Sequence, residues 1–234
     1  MVINQYGQPV GEPLPHWSPR ARPDGATLNG RFCRLQALDA ERDFSALFDA
    51  FQLAPDGRDW TYLMRERPES PQELREHLQN MQANLALVNL TVFDLSSQKP
   101  VGTAAFMRIE EGHGVLEIGH ICWSPLMKRC SSATEAIYLM LRYAFDELGY
   151  RRCEWKCDSL NEPSRQAAQR FGFTYEGRFI KALVTKGRSR DTDWFALTEE
   201  RWPLVRSAFE RWLDDSNFDA ANQQKQRLQA FMSF

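Results

Sequence analysis

The chain has little charge of either sign to spare. Its 29 lysines and arginines are offset by 31 aspartates and glutamates, for a formal net charge of -2. A general nucleic-acid binder carries a basic excess that displaces counterions from phosphate, so that class is not expected. Long apolar runs are missing too. No segment is uninterrupted and apolar enough to cross a bilayer, and the first residues, MVINQYGQPVGEPLPHW, hold no charged stretch leading into an apolar core. The expectation is a cytoplasmic protein with no membrane partner. The five cysteines, Cys33, Cys122, Cys130, Cys153 and Cys157, are odd in number and form no CxxC pair. Neither a disulfide framework nor a zinc cluster follows. The four histidines, His16, His77, His113 and His120, lack the HExxH or i,i+4 spacing of a helical metal site, so no metal is expected.

What the chain does have is enough apolar material for one core, with 43% hydrophobic residues in 234. Three segments are expected: an extended arm over residues 1–26, carrying five prolines; a single domain over 27–213; and a polar tail over 214–234. Arm and tail are also where a homodimer contact is expected, if one forms.

Within the domain the hydrophobic period alternates between two and 3.6 residues. Residues 30–35 read as a first strand, 40–51 as an amphipathic helix, and 71–83 as a second helix capped by Ser70 with Pro71 at its first position. Three antiparallel strands are expected over 87–95, 100–109 and 114–123. A helix runs from Ala133 to Gly149, followed by a strand over 151–158. That strand sets Cys153, Trp155 and Cys157 on one face and Arg152, Glu154, Lys156 and Asp158 on the other. Asn161 caps a further helix ending at Gly172, strands follow over 173–184 and 193–198, and a last helix lies around 204–213. The sum is an α/β fold with a mixed sheet in one domain.

Two places draw the eye to chemistry. In Lys128-Arg-Cys-Ser-Ser-Ala133, every side chain after Arg129 is small, and a helix begins there at the end of a strand. A helix N-terminus offers free N–H groups and the positive end of its dipole, so small residues leave room for a phosphate to approach. An ordinary solvated turn fits the same residues. About thirty residues later, Asn161-Glu-Pro-Ser164 follows a strand and aims an amide and a hydroxyl beside it, or simply caps its helix.

Together with Glu117-Ile-Gly-His-Ile-Cys-Trp-Ser-Pro125, Phe145-Asp-Glu-Leu-Gly-Tyr150 and Phe171-Gly-Phe173, these stretches resemble the GNAT superfamily of N-acetyltransferases, in its RimJ/RimL-like branch. The resemblance covers roughly residues 28–200. It implies a mostly antiparallel sheet with a V-shaped opening between the fourth and fifth strands, flanked by helices, and acetyl-CoA as cofactor with its pyrophosphate on the turn before the long helix. The cofactor would then meet Ile121, Cys122 and Trp123 on the strand, Lys128, Arg129, Cys130, Ser131, Ser132, Ala133 and Thr134 on the turn, and Asn161. The family pattern for that turn is Gln/Arg-x-x-Gly-x-Gly/Ala; Ser131 stands here where the central glycine is usual and resists the conformations glycine allows. Glu117 is the implied base, His120 the second choice because strand alternation turns it to the opposite face unless a bulge intervenes. Ser164 is the implied acid, with Asn161 beside it.

The acceptor, by the same resemblance a small-molecule amine or a peptide or protein N-terminus, is expected against Arg58, Trp60, Tyr62, Phe179 and Trp194. The basic run Arg178, Lys181, Lys186, Arg188 and Arg190 suits an acidic acceptor, the cofactor's 3′-phosphate or a solvated hairpin. Two alternatives stay open: a non-catalytic acyl-CoA-binding or interaction module, and transfer of a larger acyl group such as succinyl.

Overall fold

The computed structural model describes residues 2–232. A small hairpin, β1 (Val2–Ile3) with β2 (Pro9–Val10), precedes the domain. Then come β3 (Leu28–Asn29), β4 (Cys33–Ala37), α1 (Ala40–Gln52), α2 (Pro71–Ala83), β5 (Val88–Asp94), β6 (Pro100–Glu110), β7 (Val115–Trp123), α3 (Ser131–Arg142), β8 (Arg152–Asp158), α4 (Glu162–Arg170), β9 (Thr174–Thr185), β10 (Arg188–Thr198), α5 (Trp202–Leu213) and α6 (Leu228–Phe231). Among the described residues, eight strands form one sheet in the order β3-β4-β5-β6-β7-β8-β10-β9, antiparallel except where β7 meets β8.

Ser70 and Asn161 cap the helices the sequence assigns them, and Asp39 is a further cap found in the structure. Asp39 accepts from the Glu41 and Arg42 amides at the start of α1, Ser70 from the Glu73 amide at α2, and Asn161 from the Ser164 amide at α4. The α4 helix stops at Gly172, whose φ of 88° is left-handed and whose missing Cβ leaves room for Val205. Past Arg142, the long helix widens into a π turn over Tyr143–Glu147 before Gly149.

Strand alternation sorts the two faces of the sheet. On β5, Leu90 and Val92 enter the main core with Ile137, Leu141 and Phe209 of α3 and α5. Their neighbours face α1 and α2 instead: Asn89 Nδ2 donates to Met81 O at 2.7 Å, and Thr91 Oγ1 lies 2.6 Å from Asp43 Oδ2. On β7, Leu116 and Ile118 join the main core and Glu117 faces the α1/α2 layer; on β8, Cys153, Trp155 and Cys157 do the same and leave Glu154 and Lys156 opposite. A second core of Leu47, Phe51, Trp60, Leu74 and Leu78 fills the space between α1 and α2.

Arm and tail are both tied down. Trp17 Nε1 donates to Gly112 O at 2.9 Å, and Tyr143 Oη to Asp24 Oδ1 at 2.8 Å, which pins the arm across the β6–β7 turn. After α5, Phe218 and Leu228 are buried in the main core and Trp212 Nε1 donates to Gln224, which anchors a segment that is otherwise mostly exposed. Polar composition hid these two anchors.

The sheet opens in one place. β7 and β8 pair in parallel only at Val115↔Arg152, Leu116↔Cys153 and Glu117↔Glu154. Beyond that they diverge, giving the V-shaped opening between the fourth and fifth of the expected strands. Two bulges lie on the β6–β7 ladder beside it. One sets His120 and Ile121 against Ala104, the other Arg108 and Ile109 against Leu116. His120 (φ 48°) and Arg108 (φ 46°) are left-handed at these bulges, a conformation that costs non-glycine residues roughly 1–3 kcal/mol.

Candidate active site

A cavity of about 620 Å³ occupies the opening. It is lined both by Glu117, Lys156 and Trp194, which face the α1/α2 layer, and by Trp155, Asn161 and Ser164, which face α4. It therefore passes through the sheet where β7 and β8 part.

Glu117 is buried, 5% exposed, at the last paired position before the strands diverge. Lys156 Nζ lies 2.9 Å from its Oε2 and 2.6 Å from Glu154 Oε2, and sits over the Trp194 ring at 3.6 Å. Arg108, re-aimed by its bulge, brings Nε to 3.7 Å from the same Glu117 oxygen. Burial pushes the Glu117 carboxyl above its ordinary value, while Lys156 and Arg108 pull the other way. Even so, Glu117 Oε2 and Lys156 Nζ are buried without a well-aligned hydrogen bond. A carboxylate of this kind can take a proton.

The bulge overturns the alternation argument against His120. With one residue inserted, His120 lines the same cavity as Glu117, exposed into it, and burial lowers its pKa. Across the cavity stands His77, from α2, edge-on to Trp60 at 6.3 Å. Burial, with the charges of Arg65 and His120 behind it, pushes His77 down to about 4.

On the other face, Asn161 spends its Oδ1 on the Ser164 amide at 3.2 Å, so capping is its structural role, and its amide Nδ2 is the group left to donate. Ser164 Oγ lies 3.0 Å from Trp155 Nε1, which donates to it. That bond fills an acceptor site on the hydroxyl and leaves the O–H itself to donate. Next to it, burial raises the Cys157 thiol to about 11, so it stays protonated at neutral pH.

The turn before α3 does not place Ser131 in a conformation reserved for glycine. Ser131 is the first residue of α3 and has ordinary φ; the left-handed residue is Arg129, at 58°. No side chain caps α3 and no acidic residue stands in its first turn, which suits a bound anion. Thr134 Oγ1 accepts from Arg170 of α4, and Ser132 and Ala133 are buried. Lys128 differs from expectation: its ammonium lies 2.6 Å from both Asp59 carboxylate oxygens, so its charge is already matched. Ile121 and Cys122 line the cavity, Cys122 with its thiol pKa raised by burial; Trp123 turns instead toward Gly102 and the main core.

Of the expected acceptor contacts, Trp60, Tyr62, Phe179 and Trp194 line the cavity. Trp60 is also a core residue, packed edge-on to Phe51, and Phe179 lies tilted against Trp194 with ring centroids 4.7 Å apart. Arg58 does not line it. Its guanidinium pairs with Asp56 at 2.6 Å on the exposed side of the segment before α2. The basic run likewise divides. Arg178 is tied to Asp193, Lys186 to Glu66 and the Trp60 carbonyl, and Arg190 lines the cavity. Sequence reasoning missed Lys156, Arg108, Arg65 and His77. The period-two pattern around Lys156 was visible, but a charged strand face ordinarily means solvent, and only the Trp194 ring and the Glu117 carboxylate, brought alongside from β10 and β7, bury it. Among the described residues, no group of three or more His, Cys, Asp or Glu is arranged to hold a metal ion.

Residues 33–174 match the family described as an acetyltransferase (GNAT) domain. A GCN5-related N-acetyltransferase from Brucella melitensis superposes with a TM-score of 0.91 at 42% identity, over 94% of this chain and 99% of that one. Two uncharacterized N-acetyltransferases of Bacillus subtilis (strain 168) match shorter stretches. YokL is 36% identical over 72 residues, 31% of this chain, and YnaD is 30% identical over 91 residues, 39% of this chain. The chain spans 41% and 53% of the length of these two curated relatives.

Proposed function

The chain belongs to the GNAT acetyltransferase family, and on that premise we propose that it transfers acetyl from acetyl-CoA to a primary amine by direct attack, within the RimJ/RimL-like branch. One observation carries the reading: the cavity at the β7–β8 opening gathers Glu117 and His120 with Asn161 and Ser164 on its two faces. The residues present suit the cofactor. The uncapped N-terminus of α3 and its small side chains suit a pyrophosphate, and the unpaired edge of β7 over Ile121–Trp123 offers backbone N–H groups to a carbonyl oxygen. When bound, acetyl-CoA supplies the activated acetyl thioester.

The chain's own residues handle the protons. Glu117, with its raised pKa and Lys156 beside it, takes a proton from the incoming ammonium, directly or through a water. His120 stands in the same cavity as the second base. The Ser164 hydroxyl, steadied by Trp155, donates toward the leaving sulfur, with the Asn161 amide beside it. Lys156 and Arg108 hold the Glu117 carboxylate in place and oppose its neutralisation by burial.

Calorimetric titration with acetyl-CoA, followed by thiol release against a panel of amines and N-terminal peptides, tests the reading. Binding at micromolar cofactor and amine-dependent release of CoA are expected. No binding at millimolar acetyl-CoA would contradict it.

A further inference from the structure

The β10 side of the cavity holds a row of donors with nothing to donate to. Arg190 Nε, Thr192 Oγ1 and Trp194 Nε1 are each buried and without a hydrogen-bond partner, and all three residues line the cavity. The opposite wall repeats the pattern: Arg65 lines the cavity from the loop before α2, and its Nε is also buried and unpartnered. Buried donors are normally satisfied, so a cluster of orphans in one cavity calls for a ligand that accepts. Charge points the same way. The cationic lining residues are Arg65, Arg108, Lys156 and Arg190, against the carboxylates Glu117 and Asp158. Glu117 is engaged by Lys156 and Arg108, and Asp158 Oδ1 accepts from the Leu160 amide in its own turn. Neither Arg65 nor Arg190 has an acidic partner among the described residues, whereas Arg178, on the neighbouring strand, is fully engaged by Asp193.

Position decides which substrate this row serves. The opening lies between β7 and β8, and β10 lies beyond β8, paired with it through Thr192↔Asp158 and Trp194↔Lys156. The row Trp194, Thr192, Arg190 alternates along β10 onto the face that carries Lys156 and Glu117, opposite Ser164 and α4, and runs beside the opening toward the carboxyl end of β8. Resting on the acetyl-transfer reading above, we propose that the acceptor is a small amine that also carries a carboxylate, with its amine beside Glu117 and its carboxylate held by Arg190, Thr192 and, from the other wall, Arg65. Guanidinium groups match a carboxylate with two parallel donors, which a lysine does not. A cavity of about 620 Å³, shared with the acyl end of the cofactor, suits an acceptor of amino-acid size.

The test uses matched acceptors with the full chain and acetyl-CoA: α- and ω-amino acids, each against its carboxamide and against the amine lacking the carboxyl carbon. The expected result is at least a tenfold higher kcat/KM for some carboxylate member over both its partners. R190Q is expected to collapse that ratio, through the acceptor KM and not the acetyl-CoA KM. R190K is expected to recover only part of it, since a lysine lacks the fork, and melting temperatures check that each variant folds. Equal or better turnover of the carboxamides overturns the inference and leaves acetyl transfer standing. So does turnover confined to N-terminal peptides, or an R190Q effect that appears only on the KM of acetyl-CoA or, with succinyl-CoA as donor, of that donor. No binding of acetyl-CoA and no transfer to any amine defeats the reading beneath it.

Discussion

Two buried carboxylates, one against the β3–β4 edge of the sheet and one on β7 at its middle, differ in how they are satisfied. Glu135, on α3, is 3% exposed and accepts from three consecutive backbone amides of the β3–β4 connection: Arg31 at 2.7 Å, Phe32 at 2.7 Å and Cys33 at 2.8 Å. Gly30 leaves the space it needs, since a Cβ there would meet the Glu135 Oε2 at 2.5 Å. Glu117, on β7, is buried to a similar degree, 5% exposed, but faces a cavity beside an ammonium, with an oxygen lacking a well-aligned donor. Burial alone does not mark a general base. What separates the two is satisfaction: Glu135 is held by rigid backbone, while Glu117 is left wanting and reachable.

The comparison can be broken from either side. Glu135→Ala strands three amides at once, at about 1–3 kcal/mol each. A loss of about 3 kcal/mol or more in chemical denaturation is expected, with the activity of the folded fraction unchanged; Gly30→Ala should move stability the same way. Glu117→Gln is expected to do the reverse. Removing a general base lowers kcat/KM by roughly a hundredfold or more, while the melting temperature holds or rises, because a carboxylate that burial disfavours is gone and Lys156 keeps Glu154. If Glu117→Gln unfolds the protein while Glu135→Ala leaves it intact, the division is wrong.

Smaller effects sharpen it. Ser164→Ala and Asn161→Ala should each lower kcat/KM about tenfold; Asn161→Ala also loses its cap, worth about 1 kcal/mol, and Asn161→Asp restores that cap without the amide donor. His120→Gly should cost activity severalfold yet leave the protein no less stable, since a left-handed residue at φ 48° suits glycine. Last, His77 links stability to pH. Its folded pKa, about 4, lies below the unfolded value near 6.5, so its share of stability is present above pH 6.5 and is lost as pH falls toward 4. One proton gives a slope of at most about 1.4 kcal/mol per pH unit there, and His77→Gln should flatten it.

Much of the fold was written plainly in the chain. The period-two face of Cys153, Trp155 and Cys157, the Ser70 and Asn161 caps, and the small residues opening α3 all act within a few positions of sequence, so pattern finds them. What escaped depends on residues far apart. A bulge exists only as a mismatch between two strands, so the turning of Arg108 and His120 into the cavity could not be read from either strand alone. Lys156 could be assigned a strand face, but its neighbours there, Glu117 and Trp194, come from strands far away in sequence. Lys128 looked free until Asp59, 69 residues away, proved to hold it.

Acetyl-CoA turnover by the native protein and by Glu117→Gln, followed side by side as amine-dependent release of free CoA thiol across pH 5 to 9, tests the account most directly. The account predicts a native rate that rises with pH through a midpoint above the ordinary carboxylate range, and a Glu117→Gln rate at least a hundredfold lower without that limb. Equal rates and identical pH profiles in the two proteins would contradict it.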